Sequence, residues 1–258
     1  TTDTTKTTAT VGGTPRVVTA KRPHHVWHLD ITAIPIGSAG GGFWVAWWPF
    51  ALILRWALSW HIALVLDHYS RALLAFRLTR CEPTASDICA VLDHAVLRAG
   101  TPPKHLISDQ GCQFQGDYRA WCKRRGAKPR FGAVGQHGSI ALIERFILSL
   151  KEELLRRVYI PASHAGMERI LSAYQSWYNE HRPHTSLDGC TPSERLRGAT
   201  PPKLRPRIEP RLRVRLETRS APEQRAPPVR RPRGKLELVV AYVDGYRELP
   251  IVELREAA

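Results

Sequence analysis

Between residues 139 and 158 the apolar positions Ile143, Phe146, Ile147, Leu150 and Leu154 recur at the three-to-four spacing of one helix face. The pattern predicts an amphipathic helix over 139–158. It is approached through "RFGAVGQHG", where Gly132, Gly135 and Gly138 allow a mobile entry around His137. Glu144 and Lys151 are seven positions apart, within about 20° of one another on a helix of 3.6 residues per turn. Both border the apolar stripe, where a side chain meets core and solvent together. For either residue alone, a solvated helix charge is the simplest account.

The rest of the pattern predicts an α/β domain. "VWHLDITAI", residues 26–34, reads as a strand with Asp30 in its middle, where acidic residues are depleted. "WHIALVLDHYSRALLAFRLT", residues 60–79, gives two more strands joined at "DHYS". "TASDICAVLDHAVLRAG" is a helix with Thr84 or Ser86 as N-cap and Gly100 as its stop. "PKHLISD" is a short buried strand ending on Asp109 ahead of the glycine turn "QGCQF". "GDYRAWCKRRGA" is a helix, "KPRFGAV" a strand, and "SHAGMERILSAYQSWYNEHR" a final helix ended by Pro183. Strand, strand, strand, helix, strand, helix, strand, helix, helix is the order of a mixed sheet flanked by helices. "KLELVVAYVDGYRELPIVELR" alternates around Asp244-Gly245, a hairpin with a favoured turn pair that needs something to pack on.

Charge narrows the partners. The 258 residues carry a formal net charge of +15, which favours a polyanion, nucleic acid before membrane. Residues 201–235 alone hold twelve Lys or Arg against Glu209, Glu217 and Glu223, with eight prolines, and read as an extended basic linker. The division expected is a flexible lead-in at 1–23, a core at 24–198, the linker at 199–234 and the hairpin at 235–258. The apolar "FWVAWWPFALILRWALSWHIALVLD", residues 43–67, is interrupted by Pro49, Arg55 and His61. It reads as a Trp-rich insertion near 40–60 leading into a buried strand, not as a membrane span. Five cysteines without CxxC spacing suit reduced thiols in a cytoplasmic protein.

Asp30 inside a strand, Asp109 at a strand end and Glu144 beside a helix stripe could converge at one sheet edge. Clustered carboxylates repel, so such a site implies divalent cations, and oxygen ligands beside a polyanion favour Mg²⁺ or Mn²⁺. Asp67 is a rival carboxylate, better explained as a strand-end residue bonding the "HYS" turn.

"WHLDIT", "ISDQGCQF" and "GSIALIERFILSLKEE", with 34 residues between Asp109 and Glu144, resemble the DDE catalytic core of retroviral integrases and insertion-sequence transposases. "LDHYSR" at 66–71 is similar to that family's second-strand motif, and "WYNEHRPHTSLDGCTPSE" at 177–194 to its C-terminal signature. The resemblance implies an RNase H-like fold with a five-stranded sheet and cut-and-join chemistry on DNA. It implies two metal ions held by Asp30, Asp109 and Glu144, and a phosphate contact from Lys151. His137, Arg145 and Arg182 are further candidate DNA contacts; for Arg182 and His184, capping the helix is the competing role. Transposon ends and target would be the DNA partners of a homo-oligomeric active complex. The alternatives are an integrase-like protein that binds DNA without cutting it, and an RNase H-fold nuclease. No helix-turn-helix is legible in residues 1–23, so base readout is not expected from that stretch. The basic linker supplies affinity, not sequence selection.

Overall fold

In the computed structural model, residues 19–37, 59–131, 137–200 and 236–256 are described. The first β-rich stretch forms β1 (Val26–Pro35), β2 (Ser59–Asp67) and β3 (Leu73–Thr79). Then come α1 (Ala85–Ala99), β4 (His105–Ser108), α2 (Asp117–Arg125), β5 (Lys128–Phe131) and α3 (His137–Leu150). α4 (His164–Ser176) and the short α5 (Pro192–Arg197) complete the core, and β6 (Leu236–Tyr242) with β7 (Pro250–Glu256) makes a separate two-stranded sheet.

The five-stranded sheet has the order β3-β2-β1-β4-β5. β1 runs antiparallel to β2 and parallel to β4, so the sheet is mixed, as the element order predicts. Strand alternation sorts the core into two layers. Trp27 and Leu29 of β1 join Ala63 and Val65 of β2 against α1 and α2, with Phe114, Tyr118 and Trp121. On the opposite face Ile34, Ile62, Leu64 and Leu66 meet α3 and α4 through Ile143, Phe146, Leu150 and Tyr174. Each large apolar side chain sealed in this way contributes about 1.5–3 kcal/mol. The indole N–H of each described tryptophan also finds an acceptor, as buried Trp requires: His24 for Trp27, Pro161 for Trp60, Asp93 for Trp121 and Pro250 for Trp177.

Local signals end the elements where expected. Thr84 is the N-cap of α1, in a reciprocal capping box with Asp87, and Gly100 closes the helix at φ 71°. Two features lie beyond the periodic reading. α3 ends in a wide π-turn, Lys151–Leu155, and α4 in another, Trp177–His181. Each is closed by a bond spanning five residues: Arg156 N–H to Lys151 O at 2.9 Å, and Arg182 N–H to Trp177 O at 3.0 Å. The extra residue in each turn lets neighbours face inward together, Leu154 with Leu155 and Trp177 with Tyr178 and Asn179, which a 3.6-residue period would separate.

The hairpin forms, but not around a two-residue turn. Residues 243–249 connect its strands, with Asp244 and Gly245 both at positive φ (49° and 77°) inside a 3₁₀ turn. The longer connection places Leu249, fully buried, against the core beside Trp177, and this is the support a lone hairpin needs. Of the apolar segment 43–67, residues 59–67 are β2, an interior strand of the sheet buried throughout; the Trp-rich insertion, the basic linker and the lead-in up to residue 18 lie outside the described residues. Among the described residues no helix is long and apolar enough to cross a membrane.

Candidate active site

Asp30 sits at the midpoint of β1, paired with Leu64 of β2. By alternation it shares the face of Leu64 and Ile34, the face that α3 covers. The parallel register to β4 pairs His28 with Ile107. Extending it two residues past the last pair carries Asp109 toward the level of Asp30. Ser108 ends β4, so Asp109 stands in the loop past the strand's carboxyl end, where open α/β sheets gather their functional groups. Its Oδ1 accepts the Gly111 N–H at 3.1 Å, a turn that holds the carboxylate at the rim. α3 packs over β1 and β4 and carries Glu144 and Lys151.

The electrostatics report the same gathering. Burial pushes the Asp30 carboxyl up to about 6, and the negative charges of Asp109 and Glu144 push in the same direction. The Ile31 N–H, 2.7 Å from Asp30 Oδ1, and the charge of Lys151 pull the other way. Burial lowers the Lys151 ammonium and Arg156 adds to that, while Asp30 opposes it. Three charged residues, Asp109, Glu144 and Lys151, are thus within electrostatic reach of one carboxylate. Asp109 and Glu144 are exposed and Asp30 is half-buried, so the group opens to solvent at the sheet end.

This donor set suits a hard cation in chemistry: oxygen ligands alone, one of them crowded by like charges that a cation would relieve. In position the groups are neighbours without being drawn together. Among the described residues no three His, Cys, Asp or Glu side chains are close enough to hold one ion.

The remaining candidates are placed as follows. His137 opens α3, and the approach at 132–136 lies outside the described residues. Arg145 is exposed on α3, one residue from Glu144 and about 100° round the helix. Arg182 donates to Glu153 from Nε at 3.1 and 3.0 Å and from Nη2 at 2.5 Å, and Nη1 lies 3.1 Å from His184 Nδ1. Burial works against the Arg182 charge, but the bonds to Glu153 outweigh it and hold its pKa above the ordinary value. Its side chain joins the two π-turns, a role distinct from both DNA contact and simple capping. Asp67 is fully buried: Oδ1 accepts from His24 N–H, and Oδ2 from the Ser70 N–H and hydroxyl. It fastens the β2–β3 turn.

Sequence reasoning missed His28 and Asn179. His28 is completely buried on the Asp30 face, with Nε2 2.8 Å from His68 Nδ1. Burial lowers it to about 3, helped by His68 and Arg71, so it is a neutral ring. Asn179 takes the Leu73 N–H on Oδ1 and gives Nδ2–H to Leu73 O, both at 2.9 Å. The "YN" of the C-terminal signature is thereby a clamp on the first residue of β3. Its place inside an inward-turning "WYNEH" run was the available signal.

Two models of the integrase core domain match the chain, over residues 20–137 and 125–192. The transposase InsF for insertion sequence IS3A of Escherichia coli (strain K12) is 27% identical over 144 residues, 55% of this chain and 50% of that protein. The transposase for insertion sequence element IS904 of Lactococcus lactis subsp. lactis (strain IL1403) is 21% identical over 182 residues, 69% of this chain and 64% of that protein. The chain thus spans about half the length of the first of these curated relatives and under two thirds of the second. A chain of the cryo-EM structure of the simian T-cell lymphotropic virus intasome, bound to PP2A regulatory subunit B56 gamma, has the same fold. Its TM-score is 0.55 at 17% identity, covering 94% of this chain and 71% of that one. The matched spans together run from residue 20 to residue 192 and contain the whole five-stranded sheet and the helix bearing Glu144: the chain belongs to the integrase core domain family.

Proposed function

We propose that the protein is a DNA transposase or integrase of the DDE type, which cleaves DNA strands and joins their ends with the help of two divalent metal ions. The observation that carries this reading is the convergence on Asp30. A strand-centre carboxylate, a loop carboxylate and a helix carboxylate from distant parts of the sequence bear on one point, with a lysine beside them. A structural carboxylate is ordinarily paired with a cation or sealed by N–H donors, as Asp67 is. A carboxylate pushed up first by burial and then by like charges beside it, as Asp30 is, is instead the condition found at working sites.

Asp30 is the carboxylate on which the charges of both others bear, so it would be shared by the two ions, with Asp109 completing one site and Glu144 the other. Mg²⁺ or Mn²⁺ bound there would activate the attacking water or 3′-hydroxyl and stabilise the leaving oxygen in line. The side chains do the positioning. The β1–β2 ladder fixes Asp30, the turn closed by the Gly111 N–H holds Asp109 just past β4, and α3 carries Glu144 on the same face. Lys151 holds a DNA phosphate against the site by charge. Similarity to transposases of insertion sequences supports this choice of reaction. Joining two DNA ends points to at least two copies in the active assembly, with transposon ends and target as the DNA partners.

The test is cleavage and strand transfer on linear duplex with Mg²⁺ or Mn²⁺, comparing the wild-type chain with Glu144→Gln. Metal-dependent products from the wild type that disappear in the variant, with DNA binding retained, are the expected result. Binding without products from either protein, under both metals, would make this a DNA-binding relative without catalysis.

A further inference from the structure

α3 has a second working flank. Leu142 stands about 160° round the helix from Glu144, and on its side a groove of about 1070 Å³ opens between α3, the β2–β3 turn and the segment following α4. Its polar lining includes the cations Arg71, Arg145 and Arg182 and also the carboxylates of Glu152 and Glu153. None of the three carboxylates of the acidic site lines it.

Arg71 is its distinctive member. It takes a left-handed backbone (φ 66°) in the β2–β3 turn, with its N–H bonded to Asp67 O at 2.9 Å. Asp67, whose charge reaches Arg71, directs its oxygens to His24 and Ser70. Arg71 Nη1 is consequently buried with no hydrogen-bond partner among the described residues. A guanidinium N–H shut away from water without an acceptor is unfavourable. A phosphate offers two oxygens in the geometry of the guanidinium fork.

The charges in the groove leave room for an anion. Glu153 is taken by Arg182, and Glu152 lies 3.8 Å from Arg156. Among the described residues no carboxylate pairs with Arg71 or Arg145. Arg71 also depresses the imidazoles of His68 and His184, after the larger effect of burial on each and, at His184, of Arg182, so these rings remain hydrogen-bonding groups. The groove follows a helix of 14 residues, about 21 Å long, which is several charge spacings of a nucleic acid strand.

We propose that this groove binds the phosphodiester backbone of DNA, with the half-buried Arg71 guanidinium in its wall and Arg145 at the rim, on a flank of α3 turned from the acidic residues. The inference rests on the DNA-processing reading but concerns a separate surface, so either can fail alone.

The experiment measures binding of the full chain to a fluorescein-labelled duplex by anisotropy over a salt series, with chelator present to keep metals out. Arg145→Gln, on an exposed position, weakens binding about tenfold and reduces the slope of log affinity against log salt by about one. Arg71→Gln does the same. Arg71→Lys retains the slope but not the affinity, because the charge remains and the fork is lost, and its thermal melting curve reports that the fold is intact. Lys123→Gln, exposed at the end of α2, changes the slope without discriminating the groove and sets the scale for a general charge effect. Affinity and slope equal to wild type in both Arg145→Gln and Arg71→Gln would overturn the proposal. So would a poly-glutamate peptide whose binding depends on both arginines while duplex binding does not. Groove dependence without any metal-dependent cleavage would sink the catalytic reading only. Cleavage that requires Glu144 while binding ignores both arginines would sink the groove only.

Discussion

Two glutamates nine residues apart on one helical stretch receive opposite treatment. Glu153, in the π-turn that ends α3, accepts from the Arg182 guanidinium and from the Tyr174 hydroxyl at 3.1 Å, and its side chain is 26% exposed. Glu144 is exposed, has no ion pair among the described residues, and adds its negative charge to Asp30. Both belong to the same α/β core and both could be explained as helix surface charges from the sequence alone. What separates them is the partner. A carboxylate that meets a guanidinium and a phenol holds two elements together; one that meets other carboxylates destabilises its neighbours and is kept for another purpose.

The largest effect on stability should come from breaking the satisfied partner set. Glu153→Gln leaves the Arg182 guanidinium, 14% exposed, facing a neutral amide between the two π-turns. Loss of a largely buried pair of this kind destabilises by about 3 kcal/mol, read as a lowered urea midpoint with an unchanged slope. A change below 1 kcal/mol would mean the pair is a bystander and would erase the contrast with Glu144.

Acid sharpens the same contrast. His184, 8% exposed, touches Arg182 and is held at about 3 by burial first, then by the Arg182 and Arg71 charges. Folding keeps the ring neutral, so the unfolded chain takes the proton first. Stability from this group is complete above the ordinary histidine value of about 6.5 and falls as pH drops toward 3. At about pH 5 the loss is on the order of 2 kcal/mol. Denaturant titrations at several pH values check it: His184→Gln should flatten the slope between neutrality and pH 5, and an unchanged slope would assign the acid sensitivity elsewhere.

The fold was largely legible because it rests on periodicity and punctuation. Strand alternation, the Thr84 cap and the Gly100 stop are local signals, and the structure obeys them. What was not legible depends on long-range partners. The stripe of Ile143, Phe146 and Leu150 locates the core face of α3, but the π-turn that lets Leu154 and Leu155 both turn inward has no periodic trace. Arg182 could be placed at a helix end, but that its partner is Glu153, 29 residues earlier, follows only from two helices packing together. The acidic group was legible by another route. Asp30 is anomalous inside a strand, and Asp109 follows a buried strand into a glycine turn, so each breaks a local rule at a place where the fold gains nothing from it. His28 broke the same rule two residues earlier and was missed, because a buried neutral imidazole looks in sequence like any other strand residue.

Asn179 gives the next smaller effect. Its amide makes two hydrogen bonds to the Leu73 backbone, and Gln175 Nε2 donates to the same carbonyl at 2.8 Å. Asn179→Ala removes the side-chain acceptor of the buried Leu73 N–H but leaves the carbonyl served by Gln175, so a loss of about 1–2 kcal/mol is expected. Gln175→Ala, which leaves both Asn179 bonds in place, should be milder. The reverse order would place the clamp on Gln175 and leave Asn179 without a structural purpose.

The smallest effect is the most informative. Glu144→Gln keeps shape and helix propensity and removes a charge that no cation among the described residues pairs with, while lifting one source of repulsion on Asp30. Stability should therefore stay within about 0.5 kcal/mol of wild type, and any change should be a gain. Measured beside Glu153→Gln on the same urea scale, it tests whether the two glutamates differ in kind. A loss like that of Glu153→Gln would mean Glu144 has a structural partner, and the crowding at Asp30 would then need no catalytic explanation. A neutral or stabilising change, with metal-dependent cleavage abolished, would leave function as the reason for a carboxylate that the fold does not use.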